Sequence, residues 1–341
     1  MTDVASRPAP ACRVWTRDKV IAEDLTGEDL SDVLQLHSDA YAWWVLPRNA
    51  DYGTTELREV AKALDLDDLA IKDLLAQDRR AKFEAIGHAR LVITNAVTVD
   101  QRRVIIDTHP ISIVATDRAL ICLVEPAADF QPARLLSAHE DVLRSGGIEA
   151  ALQLVISAVI ETYESAVEWL EDSGDDLAGI LFEERPLNKL EQLHAFKLRT
   201  ALSELRRLTD PMRAVVADIV AYPPPVPRGK ASGSGTVANR RWRLLAEQHD
   251  RVANAADALR EALSSVFDTS LALADVRLNQ IMKKLTGWAG ILAVPTLVTG
   301  FVGMNVGFPL SGTGIGFWVY FLLMIAASVA LYFVFRAKEW I

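Results

Sequence analysis

Between two long apolar stretches the chain places Gly303-Met304-Asn305, a side-chain amide flanked by backbone carbonyls and carrying no charge. Neutral oxygens of this kind hold a ligand by hydrogen bonds and let it go again. The constellations that catalysis needs are missing. The six histidines are scattered without His-x-x-x-His spacing, and there is neither a glycine-rich phosphate loop nor a Gly-x-Ser-x-Gly turn. The chain is therefore read as no enzyme. Its remaining chemistry is charge: Glu161, Glu164, Glu168, Glu171, Asp172, Asp175, Asp176, Glu183 and Glu184 form an acidic run. That run is either a solvated face or a loose collar that attracts cations.

The elements on either side of residues 303–305 set the context. Trp288 to Val306 contains no charged residue. At about 1.5 Å per residue it is long enough to cross a hydrocarbon core of about 30 Å. Phe317 to Phe335 is a second such segment, and Gly307 to Gly316 joins them without any Lys or Arg. Lys283 and Lys284 precede the pair, and Arg336 and Lys338 follow it. The basic-inside bias predicts both chain ends in the cytoplasm and the loop outside. Trp288, Phe317, Trp318 and Trp340 stand where interfacial aromatic belts form. The alternative for two apolar helices is a buried core hairpin, which is rarely this long and uncharged.

The run Arg277-Leu278-Asn279-Gln280-Ile281-Met282-Lys283-Lys284-Leu285-Thr286, then Pro295-Thr296 with Thr299-Gly300, then Gly303-Met304-Asn305 before a last apolar helix, resembles the CorA family of divalent-cation channels. The tight resemblance covers roughly residues 268–341. A weaker one includes Ile71 to Leu75 and Arg79 to Glu84. It implies a fold: an α/β cytoplasmic domain, a long α-helical stalk and two transmembrane helices, assembled as a funnel-shaped homo-oligomer, by resemblance a pentamer. It implies Mg²⁺ as cargo, with Co²⁺ or Ni²⁺ as further cargo, in the inner or plasma membrane. Gly303, Met304 and Asn305 are then the selectivity filter. Asn279, Met282, Leu285, Ala289, Thr296 and Gly300 line the pore, and Asp268 and Asp275 lie at its mouth. Asp73 matches one half of the family's inter-subunit regulatory Mg²⁺ site, while the partner region near Leu244 offers only Glu247. Two features depart from the family: the outer loop has no acidic residue, and the tail is only Arg336-Ala337-Lys338-Glu339.

One helix cannot enclose a pore, but a ring of identical copies turns every inward residue into a ring of identical groups. Stepping back from Asn305 by three and four reaches Phe301 or Val302, Val298, Thr296 or Pro295, then Ala289, Leu285, Met282, Asn279 and Asp275. Mg²⁺ gives up its water reluctantly, so a hydrated ion is best met by neutral acceptors such as the Asn305 amide. Met282 and Leu285 read either as a dewetting gate or as interhelical packing. Gly303 and Asn305 read either as that filter or as a helix cap. Pro295 removes a backbone donor in mid-helix and predicts a small kink or a freed carbonyl. A zinc transporter of the same superfamily and a non-conducting membrane scaffold are the competing functions, both compatible with the uncharged loop.

The rest of the chain must be a large soluble body. Of 341 residues, half are hydrophobic and the formal charge is −9, which argues against nucleic acid or an anionic membrane surface as partner and suits cations. Cys12 and Cys122 are too few for a disulfide framework. Met1 to Ala11 has no apolar run, so no cleavable signal is expected and insertion would rely on the C-terminal helices.

Residues 1–147 read as the α/β domain. Cys12–Trp15, Ala42–Leu46, Ala89–Val99, Val104–Ile106, Ile111–Ala115 and Leu120–Val124 are strands, with a hairpin at Thr116-Asp117-Arg118. Helices are expected over Leu25–Leu36, capped by Thr26 or Ser31, from Thr54 to about Leu64, and from Asp67 to about Gln77. Residues 148–235 read as an acidic helical hairpin, with Ser173-Gly174 as an interruption and Pro186 in the first turn of the second helix. That helix runs to about Ala221 through Leu190, Leu193, Phe196, Leu198, Leu202 and Leu205. The proline-rich stretch in Tyr222–Gly235 reverses the chain. Residues 236–306 are the stalk and first membrane helix, with a heptad-like beat through Trp242, Leu245, His249, Val252, Ala256, Leu259, Leu263 and Val266. If continuous it is a rod of about 100 Å, unstable alone, for which symmetry-related copies are expected to supply the partners. Residues 307–316 are the outer loop, 317–335 the second membrane helix and 336–341 the tail.

Overall fold

Alternating β-branched and apolar runs take the first part of the chain into strands. The computed structural model describes residues 11–341 apart from 17–18, 49–56, 59, 63, 67, 76–79, 126–129, 223–232, 305, 306, 308 and 311. Among the described residues seven strands form one sheet: β1 (Ala11–Trp15), β2 (Val20–Glu23), β3 (Tyr41–Pro47), β4 (Lys82–Ile86), β5 (Ala89–Asp100), β6 (Ile105–Ala115) and β7 (Ala119–Val124). Their order is β2-β1-β3-β7-β6-β5-β4. All neighbours are antiparallel except β3 and β7, which run parallel with Trp43 opposite Leu120. The β6–β7 turn is closed by Thr116, whose Oγ1 accepts from the Ala119 N–H at 2.9 Å.

The period of two divides the sheet into two apolar faces. Val14, Trp44, Leu46, Leu91, Ile93 and Ile121 pack in one cluster with Leu30 and Leu34 of α1 (Gly27–Leu36) and Ile71 and Leu74 of α2 (Asp68–Leu75). Thr26 caps α1, its hydroxyl accepting from the Asp29 N–H, and Arg118 donates to the Leu34 and His37 carbonyls at the other end. After α3 (Pro132–Ala138), the opposite face receives α4 (Glu140–Leu181) and α5 (Lys189–Ala221). Tyr163, fully buried, donates its hydroxyl to the Asn95 carbonyl at 2.6 Å, and Thr94 donates to Met212 Sδ at 3.3 Å. The third long helix is α6 (Gly233–Val302), and α7 is Gly314–Ala337. Gln153 donates to the Ala238 carbonyl and His249 bonds the Thr209 carbonyl at 2.9 Å, so α4, α5 and α6 bundle. All eight residues of the α6 stripe from Trp242 to Val266 are buried within the one chain, so α4 and α5 cover this part of the helix where symmetry-related copies were expected to.

The contact pattern separates two compact units, Met1–Leu177 with Lys189–Ser264, and Ala178–Asn188 with Ser265–Ile341. The first holds the sheet and the bundle. In the second, the Leu187 N–H donates to Ser270 Oγ at 3.0 Å, and the ends of α6 and α7 meet.

Several expectations change on the coordinates. Val104–Ile106 and Ile111–Ala115 are not two strands: β6 is continuous from Ile105 and passes through Pro110. β7 pairs only from Ile111 onward, so Pro110 lies where the strand has a neighbour on one side and the missing N–H is tolerated. The short outer strands β2 and β4 and helix α3 were not foreseen. α4 begins at Glu140, before the expected Ile148, with a break at Gly147 (φ 67°). It runs through Ser173-Gly174 without interruption, because Gly174 is buried and a Cβ there would meet Leu259 at 3.2 Å. Pro186 does not open α5. The helix starts at Lys189, after the Leu187 N–H has been drawn to Ser270. Leu190, Leu193 and Phe196 are exposed rather than buried, while Leu198, Leu202 and Leu205 fill the bundle. Thr54, Asp67, Gln77, and the proline-rich part of the reversal loop lie outside the described residues.

Among the described residues, three helices are long and apolar enough to cross a membrane. Burial sorts them: 61% of the apolar stretch of α4 is buried, against 6% for α6 and none for α7. The apolar stretch of α4 is therefore largely a core face, while those of α6 and α7 lack cover.

Candidate functional site

At about 100° per residue, exposure along α6 gives its orientation. Gly287 is buried, and Ile291, Val294, Pro295, Val298 and Val302 are half-buried. These residues share one side. Asp268, Asp275, Asn279, Met282, Leu285, Ala289, Thr296 and Gly300 fall within a sector of about 120° on the other side, and all are exposed. Met282 and Leu285 are 51% and 62% exposed, large apolar side chains without cover. The two sides separate residues that stepping back from Asn305 had placed on one stripe. Val302, Val298 and Pro295 belong to the half-buried side; Thr296, Ala289, Leu285 and Met282 belong to the free one. The stepping mixes two phases within α6 itself: at about 100° per residue Val298 lies about 180° from Ala289, and Pro295 about 100° from Thr296. α6 then ends at Val302, with Gly303 and Met304 already in a turn. The free side also carries Ala293, which the 289, 293, 296, 300 spacing could have revealed.

The helix end is well bonded. Thr296 and Thr299 donate their hydroxyls to the Leu292 and Pro295 carbonyls, at 3.1 and 2.8 Å, and the Gly303 N–H reaches the Thr299 carbonyl at 2.9 Å. Gly303 and Met304 are exposed. Asn305 lies outside the described residues. Beyond it the chain is tied to α7: Thr313 caps that helix by accepting from the Gly316 N–H and donates to the Leu310 carbonyl, and Tyr320 donates to the Pro309 carbonyl at 3.0 Å. Gly316 must be glycine, since a Cβ there would overlap the Leu310 carbonyl.

Asp73 lies in the other unit, on α2. Its carboxylate accepts from Lys82 Nζ at 3.0 Å, and Glu84 approaches the same ammonium at 3.5 Å. Burial opposes the lysine charge, but the two carboxylates hold its pKa above the ordinary value. Among the described residues no three His, Cys, Asp or Glu side chains converge to hold a metal ion. The acidic α4 residues Glu161, Glu168, Glu171, Asp172, Asp175 and Asp176 are exposed, while Glu164 accepts from Gln248 at 2.9 Å. Cys12 and Cys122 are buried and in no disulfide, and burial pushes both thiols up to about 12, which makes them inert.

Residues 41–337 match the family model described as CorA-like Mg²⁺ transporter protein. The chain belongs to the CorA family. Two curated relatives are both named cobalt/magnesium transport protein CorA. The one from Thermotoga maritima is 22% identical over 316 residues, spanning 92% of this chain and 87% of its own. The one from Methanocaldococcus jannaschii is 41% identical over 83 residues, 24% of this chain and 26% of its own. The complete structure of the CorA magnesium transporter from M. jannaschii superposes with a TM-score of 0.75 at 20% identity, covering 98% of this chain and 99% of that one. The full-length CmaX protein gives 0.71 at 20% identity over 98% and 100%. The cytoplasmic domain of ZntB from Vibrio parahaemolyticus gives 0.55 at 11% identity over 78% and 98%. The CorA fold, an α/β sheet domain with long helices and two apolar C-terminal helices, is thus shared over the whole chain.

Proposed function

We propose that this CorA protein is a homo-oligomeric, by resemblance pentameric, channel through which Mg²⁺, and also Co²⁺ or Ni²⁺, enters the cell. The observation that carries the reading is the free side of α6. It presents Asn279, Met282, Leu285, Ala289, Thr296 and Gly300 in one sector, all exposed among the described residues. Copies arranged about an axis would cover that side and make each residue a ring. Met282 and Leu285 would form an apolar constriction that excludes water when narrow. Above it only small or neutral polar groups follow, up to a collar of Asn305 amides with the Gly303 and Met304 carbonyls. A hydrated dication can bond to that collar without surrendering its water. Asp268 and Asp275 would give the mouth negative charge, in a chain whose formal net charge is −9.

Both chain ends face the cytoplasm in this reading, because Lys283, Lys284, Arg336 and Lys338 flank the two apolar segments and the 307–316 loop has no Lys or Arg. A negative interior then drives entry by about 4.6 kcal/mol per dication at 100 mV. Closure by cytosolic Mg²⁺ at Asp73 is part of the proposal and requires the Asp73 carboxylate to be released from Lys82.

Divalent-cation influx into liposomes carrying the full chain tests the reading. Wild type should conduct and Asn305→Ala should lose most of the influx; equal influx in both would overturn the filter. Competition with Zn²⁺ in the same vesicles decides between Mg²⁺ and zinc as cargo, and no influx under any gradient would favour a scaffold.

A further inference from the structure

Two glycines at the lower end of the α6 apolar stretch are set against side chains rather than open space. A Cβ on Gly287 would stand 2.9 Å from Ile341 Cγ1 and 3.1 Å from its Cδ1, and one on Gly290 would stand 3.2 Å from Phe335 Cε2. Phe335 and Ile341 therefore reach the backbone of α6 itself. Ile341 is returned to the helix by a turn. The Lys338 N–H donates to the Val334 carbonyl at 3.1 Å, and the Trp340 N–H donates to the Phe335 carbonyl at 2.9 Å. Glu339 takes a positive φ of 57°, and the Trp340 ring stacks on Phe335 with centroids 5.5 Å apart and planes 7° from parallel. The aromatic pair backs the seat, and the turn delivers the isoleucine into it.

By helical phase Gly287 lies about 140° from Met282 and about 160° from Leu285. Gly290 likewise lies about 140° from Leu285. Phe335, Trp340 and Ile341 are half-buried, so a displacement here is shared between the seat and the helix, and the part taken by α6 advances the two apolar side chains in front.

We propose that Phe335, Trp340 and Ile341 form a clamp on the back of α6, and that the depth of its seat at Gly287 and Gly290 sets how far Met282 and Leu285 extend toward the axis. The clamp rests on the ring reading above and names the residues that position its narrowest part. They are positioning residues and touch no ion. Filling the seat pushes α6 forward and narrows the ring; emptying it lets α6 settle back.

The test uses the full chain in liposomes with two readouts. Mg²⁺ influx is measured directly. Disulfide formation between copies is measured on a Leu285→Cys background, where Cys12 and Cys122 are buried and silent. Gly287→Val should lower influx about tenfold, the scale of an overpacked contact, and speed cross-linking. Ile341→Ala in the same chain should return both to within about twofold of wild type, which a general folding defect would not do. Gly290→Ala with Phe335→Ala is the milder pair if the valine variant fails to assemble. Unchanged cross-linking in Gly287→Val, or a change that Ile341→Ala does not reverse, overturns the clamp. If cross-linking responds but wild type passes no divalent ion, transport fails while the clamp stands. If no variant cross-links between copies, both readings fall.

Discussion

Glu149 ties three elements together, and its removal should be costly. Its carboxylate accepts from Arg90 on β5 at 2.5 Å and from the indole N–H of Trp242 on α6, while Glu149 itself belongs to α4. The side chains of Arg90 and Glu149 are only 10% and 13% exposed, and Trp242 is 1% exposed. Arg90 Nη1 already has no partner. Glu149→Leu would leave a buried guanidinium without a counter-charge and an indole N–H without an acceptor. Breaking a buried pair from one side costs about 3–5 kcal/mol, against a total stability of about 5–15 kcal/mol. For a unit of this size that lowers the melting temperature by about 6–20 °C. The assay is thermal unfolding of detergent-solubilised protein followed by tryptophan fluorescence. The double variant Arg90→Met/Glu149→Leu should recover much of the loss, because an apolar pair of similar volume removes the stranded charge. A shift below about 2 °C for Glu149→Leu, or a double variant as unstable as the single, would refute the reasoning.

His249 is 1% exposed and donates from Nε2 to the Thr209 carbonyl, with the Tyr163 ring edge-on at 6.2 Å. Burial first, and then the Arg213 charge, hold its pKa below 6.5, although the Thr209 carbonyl, Asp250 and Asp210 pull the other way. Its contribution is thus intact above pH 6.5, and stability falls as pH drops from 6.5 toward the lowered value, by up to about 1.4 kcal/mol per pH unit. Unfolding midpoints at pH 7.5 and 5.5 should differ more for wild type than for His249→Gln; equal differences would contradict this. Gly316→Ala drives a methyl group into the Leu310 carbonyl and should free Pro309 and Leu310 from the start of α7 at about 1–3 kcal/mol, so that protease added from the loop side cuts faster. Gly314→Ala, which meets nothing within 4 Å, should leave cleavage unchanged.

What could be read in advance depended on how local the cause was. The α6 stripe from Trp242 to Val266 follows from the helical period alone, and each of its members is buried. The Thr26 cap and the Thr116 turn are likewise decided by a few neighbouring residues. β2 and β4, four and five residues long at the two edges of the sheet, carry little pattern of their own and exist through pairing. Leu193 and Phe196 look like core by type, but the bundle covers the opposite side of α5. In the site, the run from Asn279 to Gly300 was legible as a list of residues. That Val302, Val298 and Pro295 stand on another side was not, because steps of three or four leave Pro295 and Thr296 as alternatives about 100° apart, and taking both mixes two phases. The contact of Ile341 with Gly287 links residues far apart in sequence, and no spacing rule announces it.

The burial of α4 has a consequence for how the chain is made. Its apolar stretch would satisfy a membrane-insertion apparatus as readily by length as α6 or α7 does. Synthesis runs from the N-terminus, and domains fold as they emerge, so all seven strands precede this helix out of the ribosome. A waiting sheet face captures it in water before any lipid competes. The two later helices emerge with no such surface left to claim, and element order thereby acts as an address label that separates look-alike segments by time of birth.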